Sequence, residues 1–196
     1  MPRTYLLSPA RLDGQRAQLV FRAGATFPLA QALRSDEGAE LGAVFSFLSG
    51  LYFRGKLTYA QRFAQSPAQV KIITTNRGLL PAATRVTLDD LAAFAKTDID
   101  RGEPAFVKPL LRDARKLPGE VVLLGSIAST KYVETLLGLF SERLVFPLDF
   151  VGRGDMSRGG LLLRAADAGE ELRYGPVANA KRRGARPPKL APRVRA

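Results

Sequence analysis

The chain contains no cysteine, no histidine and no tryptophan. Without cysteine there are no disulfides and no thiol nucleophiles. Without histidine there is no Ser-His-Asp triad, and without either residue there is no zinc site built on thiolate or imidazole. Acid–base chemistry would fall to Asp, Glu, Lys, Tyr or a bound water. Any metal would have to be a hard, oxygen-ligated ion such as Mg²⁺. Long apolar runs are missing as well, and none approaches the roughly 18–20 residues that span a bilayer. The start, Met1-Pro2-Arg3-Thr4-Tyr5-Leu6-Leu7, has neither the apolar stretch nor the cleavage site of a signal peptide. A cytoplasmic location with no membrane partner is the expectation, and the lack of cysteine agrees with it.

What is present suits a folded protein. A chain of 196 residues that is 46% apolar can fill one core. The net charge is +12, and residues 181–196 carry seven basic and no acidic side chains. More than half of the excess charge therefore sits at one end. The expected organisation is one α/β domain over residues 1–180 and a basic tail over 181–196. The Arg-Pro-Pro and Ala-Pro steps make that tail extended or disordered. A cluster of this kind either binds polyphosphate through counterion release or merely solubilises the chain end.

Residues 5–7, 17–21, 70–74, 120–124 and 144–148 read as strands. Residues 28–34, 51–65, 106–117 and 129–143 read as helices, the last opened by Ser129, Thr130 and Lys131. Residues 42–48 fit either. Thr87 before Asp89 and Asp90 reads as a helix N-cap with acids in the first turn, and that helix ends near Lys96. Continuous apolar strands alternating with helices imply a mostly parallel central sheet covered on both faces. The predicted fold is a three-layer α/β sandwich, Rossmann- or flavodoxin-like.

In such sheets ligands bind beyond the carboxyl ends of the strands. Ser8 and Pro9 follow the first predicted strand. Arg77 and Gly78 follow the 70–74 strand. Gly125, Ser126, Thr130 and Lys131 follow the 120–124 strand. Asp149 follows the last, and then comes Gly152-Arg153-Gly154-Asp155-Met156-Ser157-Arg158-Gly159-Gly160. Glycines free the backbone to present its N–H groups, and arginines add charge, so residues 152–160 read as an anion cradle. The candidate anion-binding set is Arg77, Ser126, Lys131, Gly152, Arg153, Gly154, Arg158 and Gly159, with Arg153 and Arg158 as a clamp. Asp149 is the candidate base or Mg²⁺ ligand, and Asp155 reads as a salt-bridge partner of the arginines. Turn chemistry alone would also account for many of these residues.

Tyr52, Phe53, Arg54, Lys56, Tyr59 and Arg62 form a second cluster. At helical spacing Tyr52, Lys56 and Tyr59 share one face. The set reads either as a base-stacking surface or as an amphipathic helix with aromatics in the core and cations in solvent.

Two segments, Leu51-Tyr52-Phe53-Arg54-Gly55-Lys56 and Ile72-Ile73-Thr74-Thr75-Asn76-Arg77-Gly78-Leu79-Leu80-Pro81, carry a resemblance over residues 45–150. They resemble a functionally uncharacterised group of bacterial and phage α/β domains, in which a Tyr-x-x-Gly helix start precedes a strand and a Gly-Leu-Leu turn. Residues 152–188 resemble a narrower set of bacterial hypothetical proteins. The resemblance implies a three-layer α/β fold and a link to modified nucleobases, and it assigns no catalytic residue. Here Arg77 stands where the group often has Tyr or His. The leading functional expectation is a binder of a phosphate-bearing ligand, nucleotide or nucleic acid. The alternatives are a hydrolase- or glycosylase-like enzyme acting on a nucleotide or nucleobase, and a non-catalytic interaction protein using its tail.

Overall fold

The computed structural model describes residues 2–128 and 130–191. In chain order the first elements are β1 (Arg3–Leu7), α1 (Gln15–Phe21), α2 (Pro28–Arg34), β2 (Ala39–Glu40), α3 (Leu41–Ser49) and α4 (Leu51–Phe63). Next come β3 (Val70–Ile73), β4 (Leu79–Pro81), β5 (Arg85–Val86), α5 (Leu88–Ala95), α6 (Pro104–Ala114) and β6 (Glu120–Leu124). The last are α7 (Val133–Phe140), β7 (Leu144–Pro147), α8 (Asp155–Ala168) and β8 (Tyr174–Pro176).

Six strands form one sheet in the order β4-β3-β1-β6-β7-β8. The inner four are parallel and the two edge strands antiparallel. Tyr5 in β1 stands opposite Val70 in β3 and Val122 in β6. Val121 to Leu124 are all fully buried, as continuous apolar strands must be when both faces are covered. Helices α4 and α8 pack on each other, and so do α6 and α7. With right-handed crossovers these pairs lie on opposite faces, which gives the three layers. β2 and β5 form a separate small ribbon. Among the described residues no helix is long and apolar enough to cross a membrane.

Three readings change. Residues 17–21 were expected as a strand and form helix α1 instead. Ala17 and Val20 are buried three residues apart while Leu19 is half exposed, which is helical rather than alternating burial. Residues 79–81, read as the continuation of a turn, pair back onto β3 as β4. The third concerns the glycine-rich connection. It is not a loop through residue 160, because α8 begins at Asp155 and takes in Arg158, Gly159 and Gly160. Gly159 is needed for packing. A Cβ on it would lie 2.7 Å from the Leu51 carbonyl oxygen and 2.8 Å from Tyr52 Cα. A Cβ on Gly55 would lie 2.6 Å from the Gly159 carbonyl oxygen. The α4/α8 contact is thus a backbone-to-backbone crossing.

Thr87 caps α5 as expected, in a reciprocal box with Asp90: the Thr87 N–H donates to Asp90 Oδ2 at 3.0 Å and the Asp90 N–H to Thr87 Oγ1 at 3.4 Å. A polar network around Glu171 joins β1 to the segment that follows α8. Arg3 and the hydroxyls of Tyr5 and Tyr174 donate to its carboxylate at 2.5–3.0 Å. Tyr59 and Tyr174 share a hydroxyl contact of 2.5 Å. Burial pushes the Glu171 carboxyl up, but the donors from Tyr5, Arg3 and Tyr174 outweigh it and hold it below its ordinary range. This ties the 171–174 segment to β1 and α4.

Candidate functional site

The connection from β1 leads to β3 on one side, and the connection from β6 leads to β7 on the other. Neighbouring strands β1 and β6 therefore leave the sheet in opposite directions, which opens a crevice between their carboxyl ends. A cleft of about 610 Å³ lies there. Ser8, Arg11, Tyr52, Ser126, Lys131, Tyr132 and Asp155 supply its polar lining, and Pro9, Leu48 and Ile99 its apolar lining.

Ser8 is the first residue past β1. Its N–H continues the ladder to the Leu124 carbonyl at 3.2 Å, and Pro9, which has no N–H, ends it. Opposite, Gly125 lets Tyr132 close in. A Cβ on Gly125 would lie 2.7 Å from the Tyr132 hydroxyl and 2.9 Å from Ser8 Cβ. The Tyr132 hydroxyl donates to the Ser126 carbonyl at 3.2 Å, and the Ser8 side chain is near enough to favour the ionised phenol. Burial outweighs that influence and pushes the Tyr132 phenol up to about 12.

Behind Ser8 lies Lys56, only 1% exposed. Its Nζ donates to the Ser8 carbonyl at 2.6 Å and to Ser8 Oγ at 2.9 Å. It also sits 4.5 Å from the Tyr52 ring centre and 4.7 Å from that of Phe53. Burial pushes the ammonium down to about 7; Asp155 opposes that shift and Arg158 adds to it. The aromatic faces favour the charged form, so desolvation outweighs them. Tyr52 is equally enclosed. Its hydroxyl is buried on the cleft wall with no hydrogen-bond partner among the described residues. Burial pushes this phenol above its ordinary range. Arg158 is near enough to favour its ionised form, but no bond of ordinary geometry reaches the oxygen.

The expected site residues divide. Ser126 and Lys131 line the cleft. Ser126 Oγ also accepts the Ala128 N–H at 3.3 Å. Ser129 lies outside the described residues. Arg77 stands past β3, where it meets Asp90 at 3.1 Å, and it does not line the cleft. Arg153 and Arg158 do not form a clamp. Arg158 is 9% exposed, with Nε donating to the Phe150 carbonyl at 3.3 Å and Nη1 to Asp155 at 3.4 Å. That contact is the salt bridge expected of Asp155, whose residue also reaches the cleft. Arg153 donates to the Asp149 carbonyl at 3.0 Å and to Ser157 Oγ at 3.2 Å.

With Gly154, Met156, Arg164, Arg186 and Lys189, Arg153 lines a second groove of about 490 Å³ between α8 and the carboxyl-terminal segment. Residues 181–191 have no helix or strand. They run beside the body, where Arg182 pairs with Glu134, Arg164 donates to the Ala191 carbonyl, and Gly152 at φ +76° abuts Ala185. Asp149 is exposed in a 3-10 turn outside the cleft. Among the described residues no group of three or more Asp or Glu is placed to hold a metal ion.

Sequence reasoning missed Arg11, Tyr132 and the burial of Lys56. The last had a signal. Tyr52 and Tyr59 share the face of α4 that carries Lys56, and both are core residues, so Lys56 follows them inward. Arg54 and Arg62 face solvent, as an amphipathic helix requires. Compared with known proteins, the chain matches no family model, no curated protein and no solved structure.

Proposed function

We propose that the cleft between β1 and β6 binds a phosphate-bearing ligand of nucleotide type. One observation carries the reading. The cleft sits where the strand order reverses, and two basic side chains, Arg11 and Lys131, line it together with the serines that follow β1 and β6. Arg11 and Lys131 at the mouth supply positive charge, and the hydroxyls of Ser8 and Ser126 supply donors. Arg11 is bound to Asp13 only through an exposed pair, 84% and 67% accessible. A contact of that kind contributes little, so the guanidinium can turn to an anion. Pro9, Leu48 and Ile99 offer an apolar wall for a base or sugar.

Calorimetric titration with AMP and with adenosine tests this reading. AMP is expected to bind at least about tenfold more tightly, which is about 1.4 kcal/mol. Arg11→Gln with Lys131→Gln should remove that margin and leave adenosine unaffected. Equal affinities in the native protein would refute the phosphate reading.

The second groove favours a separate nucleic-acid reading. Arg153, Arg164, Arg186 and Lys189 line it, with no acidic residue among the lining. If four phosphates of a single strand are neutralised there, log K should fall against log salt with a slope of about −3. Deleting 181–196 should abolish the binding. Binding that survives the deletion would place it elsewhere.

A further inference from the structure

The cleft holds a pair that ligand binding alone does not use. We infer that Ser8 is a nucleophile aimed at the phosphoryl group of the ligand, with the Lys56 amine as its general base. The inference rests on the phosphate-binding reading of the same cleft.

The geometry comes first. Ser8 Oγ lies 2.9 Å from Lys56 Nζ and its residue lines the cleft. The Ser8 backbone is held at both ends, its N–H by Leu124 and its carbonyl by Lys56, and Lys56 Nζ holds the side-chain oxygen as well. A buried lysine with a purely structural role is normally paired with a carboxylate. Lys56 makes no ion pair among the described residues: Asp155 and Arg158 from α8 act on it only at a distance, and α4 presents it with the rings of Tyr52 and Phe53. As a neutral amine, Nζ can donate one N–H to the Ser8 carbonyl and offer its lone pair to the Ser8 hydroxyl. Its fall to about 7 makes that neutral form abundant near neutrality, as a general base requires.

Water is the one further reactant. Ser8 Oγ bonds to phosphorus as its proton moves to Lys56 Nζ. The P–O ester bond breaks with its electron pair on the departing oxygen, and the Lys56 ammonium returns the proton to that oxygen. Water then attacks the phosphoseryl group, Lys56 takes the proton from water, and the Oγ–P bond breaks with that proton delivered to Oγ. Arg11 and Lys131 face the phosphoryl oxygens from the mouth.

A small alkyl fluorophosphonate tests the pair without any nucleotide. Its phosphorus accepts the hydroxyl oxygen, fluoride leaves, and peptide mass mapping locates the adduct. The expected result is one adduct per chain, on Ser8, forming at a rate that climbs with pH through about 7. Ser8→Ala should abolish it. Lys56→Met, with folding checked by circular dichroism, should slow it at least about 100-fold. Labelling of Ser8 no faster than that of other serines, or undiminished in Lys56→Met, overturns the inference and leaves Lys56 a clamp on β1. If Lys56→Met fails to fold, the native pH profile decides, and a rate without an inflection between about pH 6 and 8 overturns it. Added AMP separates the two readings. Fast Ser8 labelling that AMP does not slow supports the pair and counts against the nucleotide. AMP binding without Ser8 labelling keeps the nucleotide and overturns the pair.

Discussion

Gly159→Ala is expected to destabilise the protein by about 3 kcal/mol and to lower its melting temperature by about 6–12 °C. Alanine is the better helix former by about 1 kcal/mol, so propensity alone predicts the opposite sign. Packing wins because the new methyl meets the Leu51 carbonyl oxygen at 2.7 Å and Tyr52 Cα at 2.8 Å. These are backbone atoms of α4 and cannot rotate aside, so the two helices must separate. Gly55→Ala should behave alike, since its methyl meets the Gly159 carbonyl at 2.6 Å. Gly138 in α7 is the control. It is exposed, and a Cβ there would find no atom within 4 Å, so Gly138→Ala should stabilise by about 0.5–1 kcal/mol. Thermal melts of the three variants decide the matter. A neutral or stabilised Gly159→Ala would mean that α4 and α8 do not cross at backbone contact.

Stability should rise with pH from about 7 towards 10, and Lys56 is the reason. Its folded-state value near 7 lies below the ordinary 10.5. Between those limits the unfolded chain binds a proton that the folded chain does not, so raising the pH favours folding by up to about 1.4 kcal/mol per pH unit. Below about pH 7 both states carry the charge, and the cost of burying it is fully present. The gain has an upper bound. Burial raises the phenols of Tyr5, Tyr52, Tyr59, Tyr132 and Tyr174, so above about pH 10 the unfolded chain loses phenolic protons first and stability falls. Urea midpoints across this range should climb in the native protein and flatten in Lys56→Met. A native profile that falls between pH 7 and 10, or a variant with the same climb, would show that Lys56 is not desolvated.

Much of the architecture was legible because parallel strands announce themselves. Residues 121–124 and 144–148 are apolar without alternation, and only a sheet covered on both faces accommodates that. The Thr87 cap was legible because an N-cap and the acids of the first turn lie within four residues of chain, while the reciprocal bond from the Thr87 N–H to Asp90 was not read. Residues 17–21 misled because five apolar-rich residues fit either period, and the burial of Ala17 and Val20 is decided by what packs on them. The glycine-rich connection misled for a related reason. Gly159 looks like a loop residue until α4 lies against it, and then small size, not backbone freedom, is what the position demands.

Composition excluded thiol and imidazole chemistry and any zinc site built on those ligands, and strand pattern placed Ser8 and Ser126 at the carboxyl edge of a sheet; both depend only on residue identity and local period. Which of those edge residues meet was a matter of strand order and helix crossing. The β3-β1-β6-β7 order opens the cleft beside Ser8 rather than at Asp149. The α4/α8 crossing buries Arg158 and leads Arg153 into another groove. It also drives Lys56 out of water and against a serine 48 residues away in the chain, and contacts at that separation leave no trace in local sequence.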